Sequence, residues 1–580
     1  MKYRNPILFA DYSDPDVIRV GDTYYMTASS FNYTPGLPIL ISKDLVNWEL
    51  ASYALENIKE KRYDIPRHSE GVWAPAIRYH DGMFYIYYGM PDEGYYVVRT
   101  SDPFGKWEEP VCILEGKGLI DPCPFWDDDG KAYVIHGYAK SRIGFKSILG
   151  IFELSSDGLK AISEDHFIFD GNDKDHPAVT IEGPKVYKRD GYYYIWAPAG
   201  GVKFGYQVVL RSKNIRGPYE IKEVMHTGSS CINGPHQGGL VDTVNGDEWF
   251  IHFQDRGMYG RICHLQPVSW ESDWPIVGVN PDGDKVGEPV FEHEMPWTTD
   301  ETCNSNIINF NSKIYAKEAP GKGKIDDLSS DSFTDGKYNL SWQWLGNHYE
   351  YFTRIIDSNN GNTMSLNDDD IRKDNLCLNA LNLSGDDTPI IWKSPNVLTQ
   401  KIVYPMFETI VRLDATELKA GEKCGVCMTG GQYAGAFIKR ENDNKYTVRT
   451  IKSDGGDFDK KEIVLAEFDF EEMCRERGIS LDEGLKDISF DLVFDCDDSS
   501  VTSDSMYFAN VEDKTYVPDL KIYLLIGDKN EKGIDLGIKY TPSDHTWVGA
   551  KVGIFALSDN NCDLDKCGYA RFMSVTTTKL

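Results

Sequence analysis

Between residues 14 and 251 one phrase recurs five times, and it constrains what this chain can become more than any bulk property does. Each copy opens on an acidic or aromatic head residue beside a proline or glycine. It continues through a short hydrophobic run to a Gly-Asp, Asp-Gly or Asn-Gly turn and ends in an aromatic-rich strand. The heads are Asp14, Trp73, Asp121, Glu182 and His236, and the turns are Gly21-Asp22, Asp81-Gly82, Asp129-Gly130, Asp190-Gly191 and Asn245-Gly246. The strands that follow hold Tyr24-Tyr25-Met26, Phe84-Tyr85-Ile86, Tyr133-Val134-Ile135, Tyr192-Tyr193-Tyr194 and Trp249-Phe250-Ile251.

A strand–turn–strand unit with a period of about 40 to 60 residues cannot bury both faces alone, so its copies stack on one another. Five such copies predict a five-bladed β-propeller. Asn-Gly and Asp-Gly tolerate the positive φ angles of a tight hairpin connection, which fits the turns. A second phrase, Ser42-Lys43-Asp44-Leu45 with Asn47-Trp48, returns at Ser101-Asp102-Pro103 with Lys106-Trp107 and at Ser212-Lys213-Asn214 with Gly217-Pro218-Tyr219, and marks the outer strands of a blade.

The repeats end near residue 255 to 295 of a 580-residue chain, which is too long for one ordinary core. Pro296, Pro320-Gly321-Lys322-Gly323-Lys324 and a Ser/Asp stretch read as a linker. Beyond it, alternating segments such as Thr409–Leu413, Ile488–Val493, Leu520–Leu525 and Val552–Leu557 predict an antiparallel β-sandwich, with one short helix around Phe470 to Arg477. The expected plan is all-β: a propeller over 1–295, a linker over 296–330 and a sandwich over 331–580 packed on the propeller.

The heads begin the innermost strand of each blade, so all five are expected at the mouth of the central channel. Three carboxylates, an indole and an imidazole converging there make an expensive core, because a buried carboxylate costs desolvation energy unless paired. That expense points to catalysis. Hydrolysis of a glycosidic bond needs a proton donor for the leaving oxygen and a second carboxylate acting on water or on the anomeric carbon. Asp14 and Glu182 come from nonadjacent blades and are placed to face each other across the channel. Glu182 is the expected acid, Asp14 the expected base, and Asp121 the neighbour that orients Glu182 and raises its pKa. His236 has three open roles: hydrogen bonding to a carboxylate, holding a central water, or helping to hold a cation. Trp73 is either core or a platform for a sugar face.

At these residues the chain resembles glycoside hydrolase family 43, over roughly residues 5 to 295. The motifs are Asn5-Pro6-Ile7-Leu8 leading to Ser13-Asp14-Pro15-Asp16, Ser30-Phe31 to Pro35-Gly36-Leu37-Pro38-Ile39, Gly71-Val72-Trp73-Ala74-Pro75, Ile120-Asp121-Pro122, Glu182-Gly183-Pro184 and Tyr259-Gly260-Arg261. The resemblance implies an inverting five-bladed enzyme with Asp14 as general base, Asp121 as pKa modulator and Glu182 as general acid. It also implies that Phe31, Trp73 and Arg261 line the subsite for the terminal pentose, with His236 beside it. Some relatives hold calcium or another ion in the channel next to the matching histidine, which makes His236 the metal candidate, although no cofactor is required. Where many β-xylosidases of the family carry an acidic residue and a histidine, this chain has Ala76 and Lys185, and its fifth head is similar to that of the arabinofuranosidase branch. The C-terminal region is similar to the sandwich of longer members, with Trp342, Trp344 and His348 as candidates to reach the pocket, and the sandwich core as the favoured place of the two tryptophans.

The expected activity is exo-hydrolysis of terminal β-D-xylose or α-L-arabinofuranose from xylo- or arabino-oligosaccharides. Two alternatives stand beside it: an endo-arabinanase, and a carbohydrate-binding propeller without catalysis. With 61 Lys and Arg against 91 Asp and Glu, the net charge of −30 argues against nucleic-acid and anionic-membrane partners. No run approaches the ~18 apolar residues of a membrane span, and Met1-Lys2-Tyr3-Arg4-Asn5-Pro6 has no apolar signal core, so a cytoplasmic location is expected. Twelve cysteines without framework spacing fit free thiols. Homo-oligomerisation is compatible with all of these features.

Overall fold

A computed structural model describes residues 2–296, 322–355, 375–443, 445–508, 517–527, 532–561 and 563–580. The chain forms two compact units. The first comprises Met1–Lys59, Ser69–Arg256 and Gly260–Lys324, and the second Glu60–His68, Gly257–Tyr259 and Ile325–Leu580.

Five antiparallel sheets form the blades of the first unit, each built on a four-strand meander whose first strand is innermost. The inner strands are Asp16–Val20, Trp73–His80, Leu119–Trp126, Lys185–Arg189 and His236–Asp242, which head blades I to V. The tight turns lie where the repeat places them. Asp81 and Gly82 both have positive φ, as do Asp190 and Gly191, the twist that a two-residue hairpin requires. The second repeated phrase sits at the turn between third and fourth strands, where Asp44 Oδ1 accepts the amides of Val46 and Asn47.

The core lies between blades, as stacking of units that cannot bury both faces alone requires. Tyr85, Tyr87, Tyr95 and Val97 of blade II pack with Val134 and Phe152 of blade III. Ile135, Leu149 and Ile151 of blade III pack with Val186, Ile195 and Ala197 of blade IV. Tyr194, Trp196 and Val209 of blade IV meet Leu240 and Phe250 of blade V. Lys2–Arg4 pairs with Glu292–Glu294, and the Asn5 side chain donates to the carbonyls of Leu265 and Val290, which ties the start of the chain to the last blade. Of the expected linker, residues 297–321 lie outside the described residues; Gly323–Lys324 adds a short fifth strand to blade I, beside Glu49 and Leu50.

The second unit contains two seven-stranded antiparallel sheets. In the first, Lys551–Ser558 lies between Val397–Lys401 and Glu422–Thr429; in the second, Phe407–Asp414 lies between Tyr569–Lys579 and Ile488–Asp495. The helix Phe470–Glu476 is capped by Asp469, whose side chain accepts the Glu472 amide. Trp342 and Trp344 are core residues, and their indole nitrogens donate to Asp331 and to the Tyr338 hydroxyl. Cys424 and Cys427 are buried free thiols on one strand. The two short segments from the first half of the sequence are built into this unit. Asp64 accepts from the Asn347 amide at 3.0 Å and the Tyr349 hydroxyl at 2.8 Å, and His68 stacks on Trp392 at 3.5 Å. Tyr259 donates to the Pro405 carbonyl at 2.8 Å, and Met258 accepts the Ala550 amide at 2.7 Å. Among the described residues, no helix is long and apolar enough to cross a membrane.

Candidate active site

In each blade the backbone turns into the inner strand through one residue of positive φ: Asp14, Ala74, Asp121, Gly183 and Gln237. Ladder irregularities fall at this point in blades II, III and V, the form of a bulge that re-aims a side chain. The five predicted heads therefore gather at one end of the channel, but they are not one structural position. Asp14 and Asp121 occupy the positive-φ site itself, whereas Trp73, Glu182 and His236 precede it. Aspartate is among the few residues that tolerate the left-handed region, so blades I and III present their carboxylates from it directly. Blade IV gives that site to Gly183, where a Cβ would lie 2.6 Å from Gln237 Cδ, and carries its carboxylate one residue earlier.

Asp14 accepts from Arg261 Nη1 at 3.0 Å through Oδ1 and from the Ser29 hydroxyl at 2.6 Å through Oδ2. Ser29 in turn accepts the Ala74 amide at 2.7 Å, joining blades I and II beneath the base candidate. Arg261 is itself fixed: its guanidinium lies over Phe253 at 4.6 Å, and its amide donates to Asp11 Oδ1 at 3.0 Å.

Asp121 accepts the Gly183 amide at 2.7 Å, so the third blade holds the backbone next to Glu182. Burial raises the Asp121 carboxyl to about 6, helped by the Asp14 charge and opposed by the Gly183 amide, Lys185 and Arg261. Glu182 is shifted further. Burial, then the Asp121 charge, pushes it up to about 8 against the pull of Arg261. The carboxyl still keeps 28% of its side-chain surface open at the mouth, where a leaving group would arrive. Its Oε1 lies 3.0 Å from His236 Nε2. Burial, with Arg261 and His252 nearby, lowers His236 to about 3, so the imidazole is neutral at physiological pH.

Of the predicted pentose-binding side chains, Arg261 lies on the base candidate. Phe31 is buried in a backbone bridge to Val72, in which each amide donates to the other carbonyl at 2.9 and 3.0 Å. Trp73 is nearly buried; its indole donates to the Ser69 carbonyl at 3.0 Å, and Arg142 sits over its ring at 5.4 Å. Ser29, Phe253 and Arg142 were not singled out from sequence: each lies outside the repeated phrase, and only the closed channel brings them to the heads. Calcium takes six to eight oxygen ligands. Among the described residues no group of three His, Cys, Asp or Glu side chains is arranged to hold a metal. The described side chains around His236 do not make such a set.

A five-bladed propeller whose mouth gathers three carboxyl groups in unequal environments defines a glycoside hydrolase. The chain belongs to family 43 of the glycosyl hydrolases: the model of that family matches residues 3–275, and the beta xylosidase C-terminal concanavalin A-like domain matches residues 330–575. A putative beta-xylosidase of Xylanibacter ruminicola is 36% identical over 440 residues, covering 76% of this chain and 73% of that protein. A non-reducing end alpha-L-arabinofuranosidase of Bacteroides ovatus is 33% identical over 299 residues, 48% of this chain and 53% of that one. In fold, the chain superposes on a xylan beta-1,4-xylosidase from Bacillus halodurans with a TM-score of 0.73 at 20% identity, over 99% of this chain and 100% of the other.

Proposed function

We propose that the chain is an inverting, exo-acting glycosidase that releases terminal β-D-xylose or α-L-arabinofuranose from xylo- or arabino-oligosaccharides. The observation that carries this reading is the contrast between two carboxyl groups at one mouth. Glu182 is held protonated by burial and by Asp121, while Asp14 is paired with the Arg261 guanidinium. In this scheme the neutral His236, 3.0 Å from Glu182 Oε1, is assigned its proton on Nε2, so that it donates to Oε1 and leaves Oε2 to carry the proton that is transferred. Glu182 gives that proton to the glycosidic oxygen as the bond to the anomeric carbon breaks. A water on the opposite face gives its proton to Asp14 as its oxygen bonds to that carbon, so the configuration inverts. Proton exchange with solvent then restores both groups. Asp121 touches no substrate in this scheme; it keeps Glu182 in its acid form. The relatives named for β-xylosidase and for arabinofuranosidase activity support a pentose in the subsite that Phe31, Trp73 and Arg261 would line.

The test is turnover of aryl β-D-xylopyranoside and aryl α-L-arabinofuranoside, with NMR of the first-formed sugar. Rapid release of the inverted anomer, and a loss of ~100-fold or more in Glu182→Ala, are expected for a general acid. Release of the retained anomer, or an unaffected variant, would sink the scheme. Cleavage confined to the interior of linked arabinan would favour the endo-arabinanase.

A further inference from the structure

On the mouth face, loops of blades III and IV hold three large apolar side chains in water, and the outer strand His166–Asp170 of blade III holds a fourth. Phe145 is 37% exposed, Val179 54%, Phe167 63% and Phe204 74%, and none of them serves the hydrolytic scheme. Exposed apolar groups clustered within a polar rim mark binding grooves on soluble proteins.

Phe145, Val179 and Phe204 ride on loops tied to the surroundings of Glu182. Phe145 and Phe167 lie 5.9 Å apart, and both rest on Tyr138, at 5.1 and 5.4 Å. Tyr138 is anchored from below by its hydroxyl bond to Asp165, which also meets His136 Nε2 at 3.0 Å. Lys146, next to Phe145, donates to the Thr180 hydroxyl at 3.1 Å, and the Thr180 amide donates to the Ser147 hydroxyl at 2.7 Å. The Val179 carbonyl accepts the Gly200 amide at 2.8 Å. Gly205, beside Phe204, packs so close to the fifth head that a Cβ there would stand 3.3 Å from His236 Nδ1. Ser147 and Thr180 both hold positive φ, a conformation that persists in non-glycine residues only where the surroundings impose it, as they do at ligand sites.

Position supplies the occupant. The base and the predicted pentose side chains come from blades I, II and V, whereas this rim comes from blades III and IV, on the side of Glu182 and of the His236 imidazole that contacts it. The group that takes the proton from Glu182 must leave past it. We propose that Phe204, with Phe145 and Val179, forms the platform for the leaving-side sugar of an oligosaccharide, its C–H face against the rings and its hydroxyls within reach of Lys146. This rests on the glycosidase reading and adds a choice to it: the enzyme prefers a chain over a bare pentoside.

Kinetics on three substrates separate the outcomes: the pentosyl fluoride, whose leaving group is one atom, and the matching di- and trisaccharides. In Phe204→Ala and Phe145→Ala, kcat/KM for the saccharides is expected to fall roughly threefold to tenfold, the size of an aromatic contact. The loss should appear in KM, because a platform holds ground and transition states alike. Fluoride turnover should stay within about twofold and also reports that the variants fold. An equal loss on all three substrates, or no loss on any, overturns the platform; a shift in oligomeric state without a substrate-dependent loss assigns the rim to a second copy and overturns it too. Failure of the unaltered enzyme on every substrate, fluoride included, would instead overturn the glycosidase reading and the platform with it.

Discussion

At the scale of single residues, the site works through one unequal pair. Asp121 and Glu182 are both raised by burial, and each feels another carboxylate: Asp14 acts on Asp121, and Asp121 on Glu182. Since the acid form of Glu182 is the active one, activity is expected to fall as pH rises through about 8, and the limb reports the coupled pair rather than one carboxyl. Asp121→Asn removes a negative neighbour. The Glu182 proton is then held less tightly, and the alkaline limb of kcat moves to lower pH. A pH–rate profile that keeps its alkaline limb in this variant would remove Asp121 from its assigned role. The five heads were legible in the sequence because a repeat aligns them. Ser29 was not, because its bonds to Asp14 and to the Ala74 amide exist only once blades I and II are side by side.

At the scale of elements, the turn into each inner strand decides where a functional group can sit. One residue per blade takes positive φ, and the sequence fills that site with aspartate twice, glycine once, and Ala74 and Gln237 in the remaining blades. The repeat showed that five heads exist, but it could not show the offset of one residue between Asp14 and Glu182, since φ is not written in composition. Only the proline after four of the five positive-φ residues hints at it. Gly183→Ala would place a methyl group 2.6 Å from Gln237 Cδ on a left-handed backbone whose amide bonds Asp121. A cost of about 1 to 3 kcal/mol is expected from the conformation alone, seen as a lower unfolding midpoint, together with a fall in kcat as Glu182 is displaced. Unchanged stability and rate in this variant would show that the turn is not what positions the acid. The rim of Phe145, Phe167, Val179 and Phe204 was invisible in the sequence for another reason: isolated apolar residues in loops or on an outer strand read as ordinary, and only their exposure together distinguishes them.

At the scale of the whole molecule, strand periodicity located the sandwich, and the helix Phe470–Glu476 was expected while Leu481–Lys486 and Ser503–Phe508 were not, but nothing in the sequence announced that this unit draws on three separate stretches of chain. Glu60–His68 and Gly257–Tyr259 read as propeller sequence and yet belong with Ile325–Leu580, because their partners, among them Asn347, Tyr349, Trp392 and Pro405, lie there. A fragment ending at residue 296 keeps both segments and loses every one of those partners. It is expected to unfold at a lower temperature than the intact chain and to self-associate, which calorimetry and size-exclusion chromatography would register; an equal midpoint in the two would refute this. The same interleaving sets an order in time. On a ribosome adding ~5 to 20 residues per second, Glu60–His68 emerges tens of seconds before the sandwich strands that complete its unit. During that interval five blades can assemble around the channel while two of their own loops stay unfinished, so the nascent enzyme is a closed propeller waiting for its second half.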